Sequence, residues 1–235
     1  MGLGVLFALT AVGLPIAIAF LVVGLAGAIY LAGLSPALNV LATVAFTWSS
    51  NYILMAIPLF ILMGYFSFRS GISEELYWAA HRWLGRLPGG LAIATTMAAG
   101  GFAATSGSSV ATAGAIGAVA IPEMRKHGYA PGFAAGCCAA GGTLGILIPP
   151  SIGFIVYGAI TEQSVGRLFL AGYLPGLLEI TVYSLLIIFM CHRNPGLGPP
   201  GKAYPWKERF AALRSIIPML LLIVLVMGGI FMGVF

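Results

Sequence analysis

Polar side chains are so sparse along this chain that their positions define it. The first charged residue is Arg69, and the apolar run that opens the chain covers residues 2–34. Several runs exceed the ~20 residues needed to cross a bilayer as a helix. The ten-residue alternation of a membrane barrel is absent. One span is expected near 2–31, kinked at Pro15. A mildly apolar connection, "SPALNVLATVAFTWSSN", leads to another near 52–68, so 1–68 reads as two N-terminal, scaffold-like spans. Residues 69–88 change character, with Leu76, Tyr77, Trp78, Trp83 and Leu84 set among charges. That mixture predicts an amphipathic helix in the interface, its aromatic rings at headgroup level. Segment 90–122 follows, then the basic loop "EMRKHGY". Region 131–160 is a long apolar helix broken by "GGTLGILIPPS", 168–190 is a further span, and 191–214 is a polar connection. Residues 215–235 begin another apolar run, which stops at Phe235 without a polar flank.

Composition narrows the class. Of 235 residues, 60% are hydrophobic and 7% charged, and the mean hydropathy is +1.04. Soluble domains carry roughly a quarter charged residues. The expected fold is therefore an all-α polytopic membrane protein. The first run lacks a basic flank and is longer than the ~15-residue core of a cleaved signal peptide, so it reads as a span. Cys137, Cys138 and Cys191 read as small space-filling side chains and not as a disulfide framework. The net charge of +5 follows membrane topology and gives no nucleic-acid signal.

That topology turns on segment 90–122. If it enters and leaves on one face, loops 69–88, 123–130 and 191–214 share a side. They then hold Arg69, Arg82, Arg86, Arg125, Lys126, Arg193, Lys202, Lys207, Arg209 and Arg214, against Arg167 alone. If it crosses, Arg69, Arg82, Arg86 and Arg167 oppose the other seven. Short cytoplasmic loops collect Lys and Arg, which favours a re-entrant hairpin, a cytoplasmic 191–214 connection and a cytoplasmic N-terminus. Arms of about 15 and 13 residues on either side of the tip each reach roughly 20 Å. The tip then lies near the middle of a ~30 Å hydrocarbon core. A single, slightly polar spanning helix packed on a neighbour is the competing description.

The tip is "TSGSSVAT", residues 105–112. Non-helical backbone at membrane depth survives only where protein, water or a ligand satisfies it. Thr105, Ser106, Ser108, Ser109 and Thr112 offer hydroxyls, and Gly107 permits positive φ. The helix ending there directs carbonyls at the tip, which suits a cation; the helix beginning there directs N–H groups, which suits an anion. Residues 141–151 repeat the design. Gly141, Gly142 and Gly145 relax the helix, and Thr143 and Ser151 supply hydroxyls. Pro149 and Pro150 remove two amide donors, and Pro150 disfavours the α conformation at Pro149. Two interruptions in adjacent segments point to a midplane substrate and coupling-ion site.

Neither interruption contains an acid, and the chain has no Asp. Oxygen ligands without fixed charge favour Na⁺ over a divalent ion. Glu179 lies inside the 168–190 span and is the one intramembrane acid; it reads either as a functional group or as a carboxyl bonded to Tyr183 one turn on. No hydrolase, zinc-protease or nucleotide-binding motif occurs, which argues against an enzyme with a bound cofactor.

At the two interruptions the sequence becomes recognisable. "SGSSVATAGAIGAVAIPEMRKHGY", "AAGGTLGILIPPS" and "YGAITEQSVGRLFLAGYLPGLL", with "AIPLFILMGY" and "GRLPGGLA" before them, closely resemble the large membrane subunit (DctM-type, or M, subunit) of tripartite ATP-independent periplasmic (TRAP) transporters. The resemblance implies an elevator-type, Na⁺-driven importer of a small organic acid in the bacterial inner membrane. Its partners would be a small (Q-type) membrane subunit and a periplasmic substrate-binding protein. It also implies a Na⁺ site beside the substrate, formed from Ser106, Gly107, Ser108, Ser109, Gly142, Thr143, Gly145 and Pro149. Many relatives carry an acid where Thr112 stands. Members of the family hold two inverted repeats, so this chain reads as the N-terminal half of an M subunit, lacking its C-terminal half and inactive alone. A channel-like pore, built on paired re-entrant loops, and a non-transporting scaffold fragment are the alternatives.

Overall fold

The computed structural model describes residues 2–234, and every regular element among them is helical. Phe235, where the last apolar run stops, lies outside the described residues. The chain divides into two compact units, one up to Leu54 and one from Met55 onward.

The first unit holds α1 (Gly2–Ala11), α2 (Ile16–Ala32) and α3 (Leu34–Ser49). Segment 2–31, expected as one kinked span, is two helices. Gly13 adopts φ +94° and Pro15 cannot continue the ladder of α1. The chain therefore reverses, and a Cβ placed on Gly2 would lie 3.5 Å from Val23 of α2. Counting 2–31 as one crossing, on which the cytoplasmic N-terminus rests, does not describe this fold-back. The stretch read as a connection is α3 itself. Ser35, Asn39, Thr43 and Thr47 recur every four residues, a helical stripe that mean hydropathy does not register.

A one-turn 3₁₀ helix, Tyr52–Met55, spans the division between the units and runs into α4 (Ala56–Arg69) of the second. Then come α5 (Ile72–Leu84), α6 (Gly90–Ser106), α7 (Ser109–Lys126), α8 (Pro131–Leu147), α9 (Ile152–Thr161), α10 (Val165–Arg193), α11 (Trp206–Ser215) and α12 (Ile217–Phe231). Tyr52–Arg69, Pro131–Thr161 and Val165–Arg193 are long and apolar enough to cross a membrane. The pair α11 and α12, bent by 44°, makes a fourth if taken as one span.

Helix α6 is the centre of this unit. All its residues except Met97 and Gly101 are buried, and α4, α5, α7, α8, α10 and α12 pack around it. Its composition allows this, because Ala, Gly and Thr let neighbouring backbones approach closely. A Cβ on Gly141 of α8 would lie 2.9 Å from Ala99, and one on Gly100 would lie 2.6 Å from Ile180 of α10. The amphipathic helix expected at 69–88 is α5, but Leu76 and Tyr77 point into the core and not to a headgroup layer. Burial on α6 outweighs the pull of the interface on a tyrosine ring.

Segment 90–122 doubles back on itself. The Leu91 N–H donates to the Tyr129 hydroxyl (3.1 Å), and Thr95 Oγ1 lies 3.5 Å from Met124 Sδ. The beginning of α6 is therefore beside the end of α7. The loop after α10 ties this base together. Leu197 and Gly198 carbonyls accept from Ala130 and Gly89, at 3.2 and 3.1 Å, and Gly201 N–H donates to the Gly85 carbonyl at 2.8 Å.

Candidate functional site

The α6–α7 turn is two residues wide. Gly107 takes φ +60°, ψ +14°, the left-handed conformation in which glycine costs least. Ser108 is extended, and its Oγ accepts from Ala111 N–H at 3.4 Å, a weak N-cap for α7. Two neighbouring hydroxyls are buried and bonded to each other, Ser106 Oγ and Thr112 Oγ1 at 2.8 Å. Thr105 is also buried and donates back to the Phe102 carbonyl at 2.9 Å. Ser108 and Ser109 remain half-buried at the tip.

The second interruption, between α8 and α9, covers residues 148–151. Pro149 and Pro150, joined by a cis peptide bond, have no N–H to offer the carbonyls of Gly145 and Ile146. Ser151 Oγ takes over at Ile146, donating to its carbonyl at 2.6 Å. The Gly145 carbonyl is left without its usual backbone donor.

These two interruptions meet. Ile152 N–H, at the start of α9, donates to the Gly107 carbonyl at 3.2 Å. A Cβ on Gly107 would lie 2.8 Å from the Pro150 carbonyl oxygen. One on Gly145 would lie 2.5 Å from the Ser108 carbonyl oxygen and 2.8 Å from Ser109 N, and one on Gly142 would lie 2.8 Å from Ala113. Four helix ends therefore converge: the C-termini of α6 and α8 and the N-termini of α7 and α9. Each C-terminus carries roughly half a negative charge and each N-terminus half a positive one. The locus can hold a cation on carbonyl and hydroxyl oxygens, and an anion on the neighbouring N–H groups. Among the described residues, no cluster of His, Cys, Asp and Glu could hold a metal ion.

The remaining candidates separate. Gly141 packs on α6, away from the tip. Thr143 turns toward α10: its Oγ1 lies 2.6 Å from the Ala140 carbonyl, 2.5 Å from Glu179 Oε1 and 3.3 Å from the Tyr183 hydroxyl. The carboxyl of Glu179 thus meets Thr143 on α8, with Tyr183 reached through Thr143.

A family model described as "Tripartite ATP-independent periplasmic transporter, DctM component" matches residues 3–235. The chain belongs to this family. It is 43% identical over 213 residues to the C4-dicarboxylate TRAP transporter large permease protein DctM of Pseudomonas aeruginosa, covering 90% of this chain and 49% of that protein. It is 42% identical over 226 residues to the protein of the same description from Vibrio cholerae, covering 95% and 49%. With the sialic acid TRAP transporter large permease protein SiaM of Vibrio cholerae the identity is 34% over 233 residues, 99% of this chain and 53% of that protein. The chain spans about half the length of the curated relatives it matches.

Three glycines of this DctM-family chain escape a reading aimed at polar groups. Gly64 of α4 faces Ser106, whose Cα would lie 3.0 Å from a Cβ there. Gly172 of α10 receives the Leu147 carbonyl, 2.7 Å from its Cβ position, and Gly176 receives Ile148 at the same distance. Gly172 and Gly176 form a G-x-x-x-G pair, the packing signature that would have found them.

Proposed function

We propose that this chain serves in sodium-coupled uptake of a small organic acid across the bacterial inner membrane. In this reading α6 and α7 form a re-entrant hairpin with its tip near the bilayer midplane, and the unit moves in an elevator-type cycle of two inverted repeats. A small Q-type membrane subunit, a periplasmic substrate-binding protein and the C-terminal half of an M subunit complete the machine. The observation that carries the reading is the convergence of four helix ends on backbone that has no fixed charge. The Gly145 carbonyl, with Ser108 and Ser109 beside it, supplies neutral oxygen for Na⁺. The N-termini of α7 and α9 supply N–H groups for a carboxylate. The relatives named for C4-dicarboxylate, sialic acid and isethionate support an organic acid as cargo.

The test is uptake in proteoliposomes holding this chain, the complementary half of a DctM-type permease, its small subunit and its binding protein. An imposed sodium gradient should drive saturable accumulation of a dicarboxylate, and Ser108→Ala with Ser109→Ala should raise the sodium concentration for half-maximal uptake at least several-fold. Uptake indifferent to sodium would sink the coupling. Single-channel currents without saturable uptake would favour a pore.

A further inference from the structure

Helix α11 carries a face that nothing in the transport reading uses. Trp206, Phe210 and Leu213 are 64%, 61% and 38% exposed. At about 100° per residue they form one stripe along the helix, and Ile217, 52% exposed, extends it into α12. The stripe is ordered. The Trp206 and Phe210 rings stack 6.1 Å apart, Trp83 of α5 sets its edge against Phe210 at 5.6 Å, and the Trp83 indole N–H donates to the Arg209 carbonyl at 3.0 Å. On one side of the stripe Arg209 and Ala212 are buried, and α11 packs there on α5. On the other side Lys207 and Arg214, seven residues apart, stand on a single line and are exposed. Glu208 falls on the far side of the helix. Neither Lys207 nor Arg214 has a carboxylate within 4.0 Å among the described residues. Lys202, also exposed, precedes the helix.

The position of this face follows from α12, an apolar helix from which α11 bends away by 44° at Ser215 and Ile216. With α12 in hydrocarbon, the Ser215 end of α11 lies where that helix leaves it, and the bend carries the rest of α11 obliquely through the headgroup layer. A row of aromatic side chains beside a row of unpaired cations, at that depth, matches a phospholipid layer whose headgroups are anionic. We infer that the Trp206–Phe210–Leu213 face of α11 docks on the bilayer surface, with Lys207 and Arg214 selecting anionic phospholipid headgroups. This anchors the joint between α10 and α12 and is independent of whether sodium binds at the helix interruptions.

The purified chain in phosphatidylcholine nanodiscs, doped with spin-labelled phosphatidylglycerol or phosphatidylcholine, tests this directly. The motionally restricted fraction should favour phosphatidylglycerol, and Lys207→Gln and Arg214→Gln should each reduce that preference about fivefold. Lys126→Gln, at the base of the hairpin, should leave it unchanged. Lipids brominated near the headgroup should quench a tryptophan component that Trp206→Phe removes. Equal association of both lipids overturns the proposal, as does an effect of Lys126→Gln as large as that of the other two. A Trp206 shielded from brominated lipid would show that protein, from another segment or a second copy, covers the face.

Discussion

The two interruptions of this chain solve one problem by opposite means. Between α6 and α7 the break is narrow, and a left-handed Gly107 turns the backbone while Ser106 and Thr112 satisfy each other. Between α8 and α9 the break is four residues wide. Proline removes donors there, one hydroxyl repairs part of the loss, and the Gly145 carbonyl is left open. The first break is closed on itself through side chains; the second is open and closes only against the first. Polar residues at a break are therefore poor guides to which atoms are free, because the richer set of hydroxyls, at 105–112, is largely consumed in holding its own turn.

That contrast predicts the largest loss where the two breaks touch. Gly145→Val puts a branched side chain into the Ser108 backbone, and it should cost about 3 kcal/mol, read as a fall in the unfolding midpoint of the chain in detergent. Gly107→Ala should cost about 2 kcal/mol, from the left-handed backbone and the nearby Pro150 carbonyl together. The closed character of the first break predicts a specific non-additivity. Thr112→Val alone leaves the Ser106 hydroxyl buried without its partner and should cost about 1–2 kcal/mol. Adding Ser106→Ala should cost less than the sum of the singles. Additive losses would mean that the two hydroxyls do not serve each other.

The smallest effect concerns the base of the hairpin, where titratable rings gather instead. His81 is 3% exposed, with His127 and Tyr204 set edge-on at 6.0 and 5.5 Å, and its Nδ1 has no hydrogen-bond partner among the described residues. Burial first, then His127 and Arg82, hold its pKa below the ordinary 6.5, while Glu123 pulls the other way. Around it stand Tyr77 and Arg82 of α5, Glu123 of α7 and His127 just after that helix, and α6 presents no titratable residue. The folded chain therefore binds this proton less readily than the unfolded one. The stability due to neutral His81 is complete above about 6.5 and falls as the pH drops below it. Unfolding midpoints measured from neutral to mildly acidic pH should decline, and His81→Phe should flatten the decline. An unchanged decline in that variant would assign the effect to another group.

The family and the all-helical class were legible in the sequence, because composition and local breakers carry both. The helix ends at Gly107 and before Pro149 lie where glycine and proline act over one or two residues. Three features were not legible, two of them because they depend on partners far along the chain. Tyr77 reads as an interfacial ring until α6 is there to bury it. Thr143 reads as a site hydroxyl until α10 brings Glu179 to it. The reversal at Gly13 and Pro15 looks like a kink in hydropathy alone, since both leave the apolar run unbroken.

The loop at 197–201 gives the hairpin a property that neither of its helices has. Its three backbone hydrogen bonds reach Gly85, Gly89 and Ala130, just outside the two feet of α6 and α7. It follows shortly after the end of α10 at Arg193, so the strap ties both feet to the chain leaving that helix. The feet cannot scissor apart without first tearing that strap, so the two arms behave as closed tweezers whose clasp lies outside either helix.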